Sequence, residues 1–368
     1  MSRTARAYVS SYVRPKPDSL KERSNRTGIH VLAMNDASEP LTVLQTAGRP
    51  NPTWIEPDSH HGLLWACYGP DRPGGEASID CHRIDPADGT LAGARSTSIG
   101  PGSPAQIAIA PDGRHLVIAN YGSGEIVVHH IDDGGGLSAA TSVIRGEGSG
   151  PHPRQDGPHP HAVAFTPDGA YLVTADLGAD LVQVFGLDEH GVLHELSRAS
   201  TARGSGPRHV AFSRSARTLY VIGELDGDIT VFAFDPTIGT IETIGEQLQL
   251  VSTAPATHSG PQSAAEIALH PAGGFLYASN RGSQTVAAYR VDPGDGRLTS
   301  CGFTTEDIAG PTNFAIAPDG RHLYINSSDT DRIVPFRIDI TTGTLTPAGT
   351  PTPMRAPNIL TFAPQPEA

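Results

Sequence analysis

Gln106-Ile-Ala-Ile-Ala-Pro-Asp-Gly-Arg-His-Leu-Val-Ile-Ala-Asn120 reads as a short apolar strand, a Pro-Asp-Gly turn and a second strand ending on a polar residue. The phrase returns as His161-Ala-Val-Ala-Phe-Thr-Pro-Asp-Gly-Ala-Tyr-Leu-Val-Thr-Ala-Asp176 and as Asn313-Phe-Ala-Ile-Ala-Pro-Asp-Gly-Arg-His-Leu-Tyr-Ile-Asn326. Weaker copies begin near Asn51, Arg208 and Ala265, giving a period of roughly 50 residues. The copy from Arg208 shows the whole unit. Runs at 208–212, 218–222, 229–234 and 240–244 are separated by turn residues, which predicts a four-stranded antiparallel meander.

Such a sheet carries two apolar faces and cannot bury both alone, so the copies must stack around an axis as propeller blades. Six copies are complete. Tyr8–Tyr12 and Gly28–Ala33 lack a first strand, and Pro357–Phe362 is a first strand without a blade. Joined, they make a seventh blade that ties the ring shut and leaves few open edges. A six-bladed ring would leave Pro357–Phe362 unpaired. The predicted fold is therefore all-β: one domain over residues 1–368, a seven-bladed β-propeller closed by its N- and C-terminal strands in one shared blade. Pro15–Thr27, Gly69–Gly75, Gly146–Pro158 and Thr253–Gln262 exceed the repeat and are expected as rim excursions.

Composition narrows the function. Gly (41) and Pro (32) make up about a fifth of the 368 residues, as many tight turns require. A net charge of −13 argues against nucleic acid or an anionic membrane as partner. Lys16 and Lys21 are the only lysines, so arginine must hold any anionic ligand in the body of the fold. Cys67, Cys81 and Cys301 are few and widely spaced, as in a reducing compartment, and the N-terminus lacks an apolar core of signal-peptide length. The expectation is a cytoplasmic monomer or weak homo-oligomer. No phosphate-binding loop, dinucleotide fingerprint or Gly-x-Ser-x-Gly elbow is present. Trp54 and Trp65 are expected in the core of one blade.

Antiparallel order puts the Pro-Asp-Gly turns on one side of the disc. Residues that open first strands or end second strands lie on the other side. That second set is polar: Gln106, Asn120, Tyr121, His159, His161 and Asp176, then Arg208, His209, Glu224, Glu266, Asn280, Arg281 and Asn313. Converging at the mouth of the channel, arginines from separate blades can clamp one small anion while His and Glu exchange protons with it. The competing reading is that a histidine before a strand bonds backbone and that Arg–Glu pairs are structural. His152, His159 and His161 lack the partners of a zinc site, so neither metal nor cofactor is expected.

Pro158-His-Pro-His-Ala-Val-Ala-Phe, Ala175-Asp-Leu-Gly-Ala-Asp, Gly206-Pro-Arg-His-Val-Ala-Phe, Glu224-Leu-Asp, Ala264-Ala-Glu-Ile and Ser279-Asn-Arg-Gly together resemble the lactonase family of seven-bladed propellers. That family includes bacterial 6-phosphogluconolactonases and fungal carboxy-cis,cis-muconate cyclases. The resemblance implies a catalytic cluster of His161, Arg208, Glu224 and Arg281, with Glu266 and His159 as neighbours. Gln106 and Tyr68-Gly69 depart from the family pattern of His and Asn-Glu at those places, so the pocket wall from the first two blades is altered. The expected activity is hydrolysis of a small anionic lactone with His161 or Glu224 as base. A cyclase or isomerase adding a carboxylate to a conjugated double bond would use the same clamp, and a non-catalytic scaffold is the reading from another class.

Overall fold

A computed structural model describes residues 6–13, 28–34, 39–70, 75–241 and 249–363. Its strands form seven antiparallel sheets. Blade 1 comprises Trp54–Asp58, Leu63–Tyr68, Glu76–Ile84 and Leu91–Pro101. Blades 2 to 6 repeat the pattern from first strands at Pro104–Ile109, Pro160–Phe165, Pro207–Phe212, Ala264–Leu269 and Pro311–Ile316. Blade 7 closes the ring as expected: Pro357–Phe362 pairs with Arg6–Ser11, which continues through Ile29–Ala33 to Thr42–Ala47. The seven first strands touch one another in cyclic order around the axis.

Burial follows position along each blade. Second strands such as Thr218–Gly223 and Phe275–Asn280 are buried at every residue, because neighbouring blades cover both faces, and their sequences are mostly apolar where a half-exposed strand would alternate. Outer strands such as Leu137–Arg145 are largely solvent-facing. Buried tyrosines tie the blades together: Tyr8, Tyr220 and Tyr277 donate to the carbonyls of Gly89, Gly296 and Gly343 in the following blade at 3.0, 2.8 and 2.9 Å. The Pro-Asp-Gly turns need a left-handed residue, supplied by Gly113, Gly169 and Gly320 at φ 72°, 74° and 66°. In blade 4 the degenerate turn keeps that geometry with Ala216 at φ 55°.

Blade 4 differs from the sequence reading in its outer strand. Thr240–Ile241 and Gln249–Ser252 both pair with Asp228–Asp235, so a further segment joins the edge, and residues 242–244 of the expected run at 240–244 lie outside the described residues. The excursion at Pro15–Thr27, both lysines and most of Gly69–Gly75 lie outside the described residues.

One irregularity positions the site. In blades 2 to 6 the register of the first strand against the second slips just after its opening residue, for example between Pro160 and Ala162 and between Pro207 and His209. Such bulges re-aim the extra side chain. Here they turn out His161 in blade 3 and Arg208 in blade 4.

Candidate active site

Two rows of side chains meet at this mouth. The first row opens the inner strands: Thr53, Ala105, His161, Arg208, Ala265, Thr312 and Asn358. Most of its polar members stitch blade to blade. Thr53 donates to the Pro104 carbonyl (2.9 Å), Arg208 to Ala265 (2.6 Å), Thr312 to Pro357 (3.3 Å) and Asn358 to Thr53 (3.0 Å). His161 breaks the pattern. Among the described residues its Nδ1 has no hydrogen-bond partner, and its ring lies edge-on to those of His209 at 5.2 Å and Tyr121 at 5.8 Å. Burial, then the charge of Arg208, holds the His161 imidazole well below its ordinary pKa, so it is neutral at neutral pH.

The second row ends the second strands, and here neighbouring residues divide their work. Asn120, Asp176 and Asn280 cap the preceding interblade link, their Oδ1 atoms accepting from the backbone N–H of Ser103 (2.8 Å), His159 (2.7 Å) and Ser263 (3.3 Å). The next residues, Tyr121, Glu224 and Arg281, contribute their side chains to the cluster. Glu224, with its side chain 5% exposed, is the hub. Arg208 Nε lies 3.0 Å from its Oε2, Arg281 Nη2 lies 2.8 Å from its Oε1, and Arg154 Nη1 lies 2.5 Å from the same Oε1. Burial acts to raise the Glu224 carboxyl, but Arg281, Arg208 and Arg154 outweigh it and hold it well below the carboxylate range.

Beneath this hub runs a second polar chain. His209 Nδ1 is 3.1 Å from Glu266 Oε1, and Asn313 donates to Glu266 Oε2 at 2.6 Å while accepting from the Leu360 backbone N–H at 2.9 Å. Burial raises Glu266, yet His209 and Arg208 prevail and its carboxyl stays ionised. His159 stacks on Tyr121 at 4.4 Å and meets Asp156 at 2.9 Å. Gln106 instead bonds the Val163 backbone N–H at 3.1 Å, stitching blade 2 to blade 3. The structure therefore brings His161, Arg208, Glu224, Arg281, His209, Glu266, Asn313, Tyr121 and His159 together, and gives Asn120, Asp176 and Gln106 to backbone. Among the described residues no group of three or more His, Cys, Asp or Glu is placed to hold a metal ion.

Sequence reasoning missed two residues. Arg154 comes from the excursion at 146–158, where the only signal was the excess length itself. Trp54 belongs to the core cluster but also sits edge-on to His209 across the axis, at 5.6 Å, while its indole N–H donates to Glu56 Oε2 at 3.0 Å. Glu56 opens to a separate cavity of about 350 Å³ at the other end of the channel, lined also by His60, Pro111 and Phe165. Burial pushes its carboxyl up to about 7. No helix among the described residues is long and apolar enough to cross a membrane.

Residues 6–362 match the family described as Lactonase, 7-bladed beta-propeller. The 6-phosphogluconolactonase of Bacillus subtilis (strain 168) is 29% identical over 272 residues, spanning 74% of this chain and 76% of that one. The 6-phosphogluconolactonase of Serratia proteamaculans (strain 568) is 32% identical over 279 residues, 75% of this chain and 77% of that one. In structure, the periplasmic gluconolactonase of Pseudomonas aeruginosa is similar with a TM-score of 0.87 at 27% identity, covering 98% of this chain and 99% of that one.

Proposed function

The chain belongs to the lactonase family of seven-bladed β-propellers, and from that premise we propose that it hydrolyses a small anionic sugar lactone, with 6-phosphoglucono-δ-lactone as the type substrate. The ring carbonyl sits against Arg208 and Arg281, whose planar forks keep their charge at any working pH and each carry several N–H donors. Water adds to the carbonyl carbon as neutral His161 takes its proton. The two guanidiniums stabilise the oxyanion that forms. Collapse breaks the bond between that carbon and the ring oxygen, His161 returns the proton to the departing alkoxide, and the open-chain aldonic acid leaves ionised.

Glu224 is a positioning residue in this scheme. A carboxylate held down by three arginines is a weak base, but it sets Arg208 and Arg281 side by side and offsets part of their mutual repulsion. The observation that carries the reading is the exception at His161: other polar side chains of its row, Arg208 included, are bonded to the next blade, whereas the partly buried His161 has a ring nitrogen, Nδ1, without a hydrogen-bond partner among the described residues.

Replacing His161 by Asn tests it. The amide cannot accept the proton, so turnover of 6-phosphoglucono-δ-lactone should fall by about 10²- to 10⁴-fold with the fold unchanged by circular dichroism. Wild-type turnover in that variant would remove His161 from the chemistry. A panel of sugar lactones set against unsaturated diacids, followed by NMR, separates hydrolysis from lactonising isomerisation.

A further inference from the structure

The three arginines around Glu224 are not equivalent. Arg208 and Arg281 have side chains 12% and 10% exposed. Both are also bound to backbone: Arg208 donates to the Ala265 carbonyl at 2.6 Å, and Arg281 donates to Ser263 and Ala264 at 3.1 and 3.3 Å. Arg154 is 44% exposed and reaches the cluster from outside the repeat. Besides Glu224 it meets the Tyr121 hydroxyl at 3.3 Å.

The carboxylate oxygens are shared unequally as well. Arg154 and Arg281 both contact Oε1, whereas Arg208 holds Oε2. If Arg154 swings away, each oxygen of Glu224 keeps a guanidinium, and no buried charge is stranded. Withdrawing Arg208 or Arg281 would lack that safeguard, since a buried carboxylate that loses its partner is costly. Only the side chain of Arg154 needs to move. Its neighbour Gln155, 1% exposed, pins the segment by donating to the Leu177 carbonyl at 2.9 Å and to Asp180 Oδ1 at 2.7 Å.

We propose that Arg154 is the exchangeable member of the clamp, leaving Glu224 to grip the phosphate monoester of the substrate, and that it sets the preference for phosphorylated over neutral lactones. The inference rests on the lactonase reading above. Guanidinium suits a phosphate because its parallel N–H groups match two phosphate oxygens. The nearby carboxylates do not compete: Glu266 is engaged by His209 and Asn313, and Asp156 by His159. The Tyr121 hydroxyl stands beside the same guanidinium as a further donor to the phosphate.

The test compares 6-phosphoglucono-δ-lactone with glucono-δ-lactone in the wild type, Arg154→Gln and Arg154→Lys. The ratio of kcat/KM for the phosphorylated over the neutral substrate should fall about 10- to 100-fold in Arg154→Gln, the loss of one charge-assisted contact, and recover in part in Arg154→Lys. The change should lie mainly in KM. A ratio within about twofold of wild type, whatever happens to the separate rates, overturns the assignment. Calorimetric binding of 6-phosphogluconate separates this failure from that of the lactonase reading. Binding that is lost in Arg154→Gln while the wild type hydrolyses neither lactone keeps the phosphate contact and overturns the hydrolysis. Equal binding by both proteins overturns the contact.

Discussion

Glu224→Gln isolates the electrostatics of the mouth. The carboxylate is nearly inaccessible, and two of its three cations are about one-tenth exposed. Removing one side of a buried ion pair strands the other and costs roughly 3–5 kcal/mol. The half-exposed Arg154 adds at most about 1 kcal/mol, because solvent screens it. A loss of about 3–6 kcal/mol at pH 7 is therefore expected. Its pH dependence follows from the direction of the Glu224 shift, which puts the folded-state pKa below that of the unfolded chain. The stabilisation is complete above the unfolded value, about 4.3, and disappears as pH falls through the folded one. Glutamine does not titrate, so the gap between wild type and variant should narrow on acidification, by up to about 1.4 kcal/mol per pH unit. Urea unfolding at pH 7, 5, 4 and 3, followed by tryptophan fluorescence, measures it. A gap under about 1 kcal/mol at pH 7, or one that stays constant to pH 3, would refute the reasoning.

Other expectations follow from single contacts. Because His161 acts unprotonated and its pKa is depressed, kcat/KM should be flat through neutral pH and decline only on the acid side, below the ordinary imidazole value of 6.5; an inflection above 6.5 in a pH–rate profile would oppose this. Tyr277→Phe leaves the buried Gly343 carbonyl without its donor and should cost about 1–3 kcal/mol in urea unfolding. Asp176 receives the N–H groups of His159, Gly178 and Ala179 on one oxygen, Oδ1, while burial raises its pKa. Asp176→Asn keeps that oxygen, so it should change stability by less than about 1 kcal/mol and turnover by less than about twofold, whereas Asp176→Ala should cost about 2–4 kcal/mol.

The ring was legible in the sequence because its causes are local and repeated: alternating strand residues, Pro-Asp-Gly turns and an unpartnered C-terminal strand that Arg6–Ser11 completes. The side of the disc was legible too, since antiparallel order alone assigns it. What the repeat could not resolve was a difference of one residue at the end of the second strands. Asn120 and Asp176 look as functional as Tyr121 and Glu224 in sequence, yet the turn spends the first position on capping backbone and sends the next into the mouth. Gln106 is a similar case, its amide taken by the neighbouring blade. Arg154 has no periodic signal because it rides on an insertion, and its partner Glu224 is 70 residues away. Trp54 is core, as the pattern of its blade predicts, but its contact with His209 depends on ring closure and is not visible in one blade's pattern.

Crystals grown with 6-phosphogluconate test the central claim most directly. Its carboxylate, formed from the lactone carbonyl, is expected within hydrogen-bonding distance of Arg208 and Arg281 and beside His161. A ligand seated instead among Glu56, His60 and Phe165 at the opposite end of the channel, with none at the mouth, would contradict it.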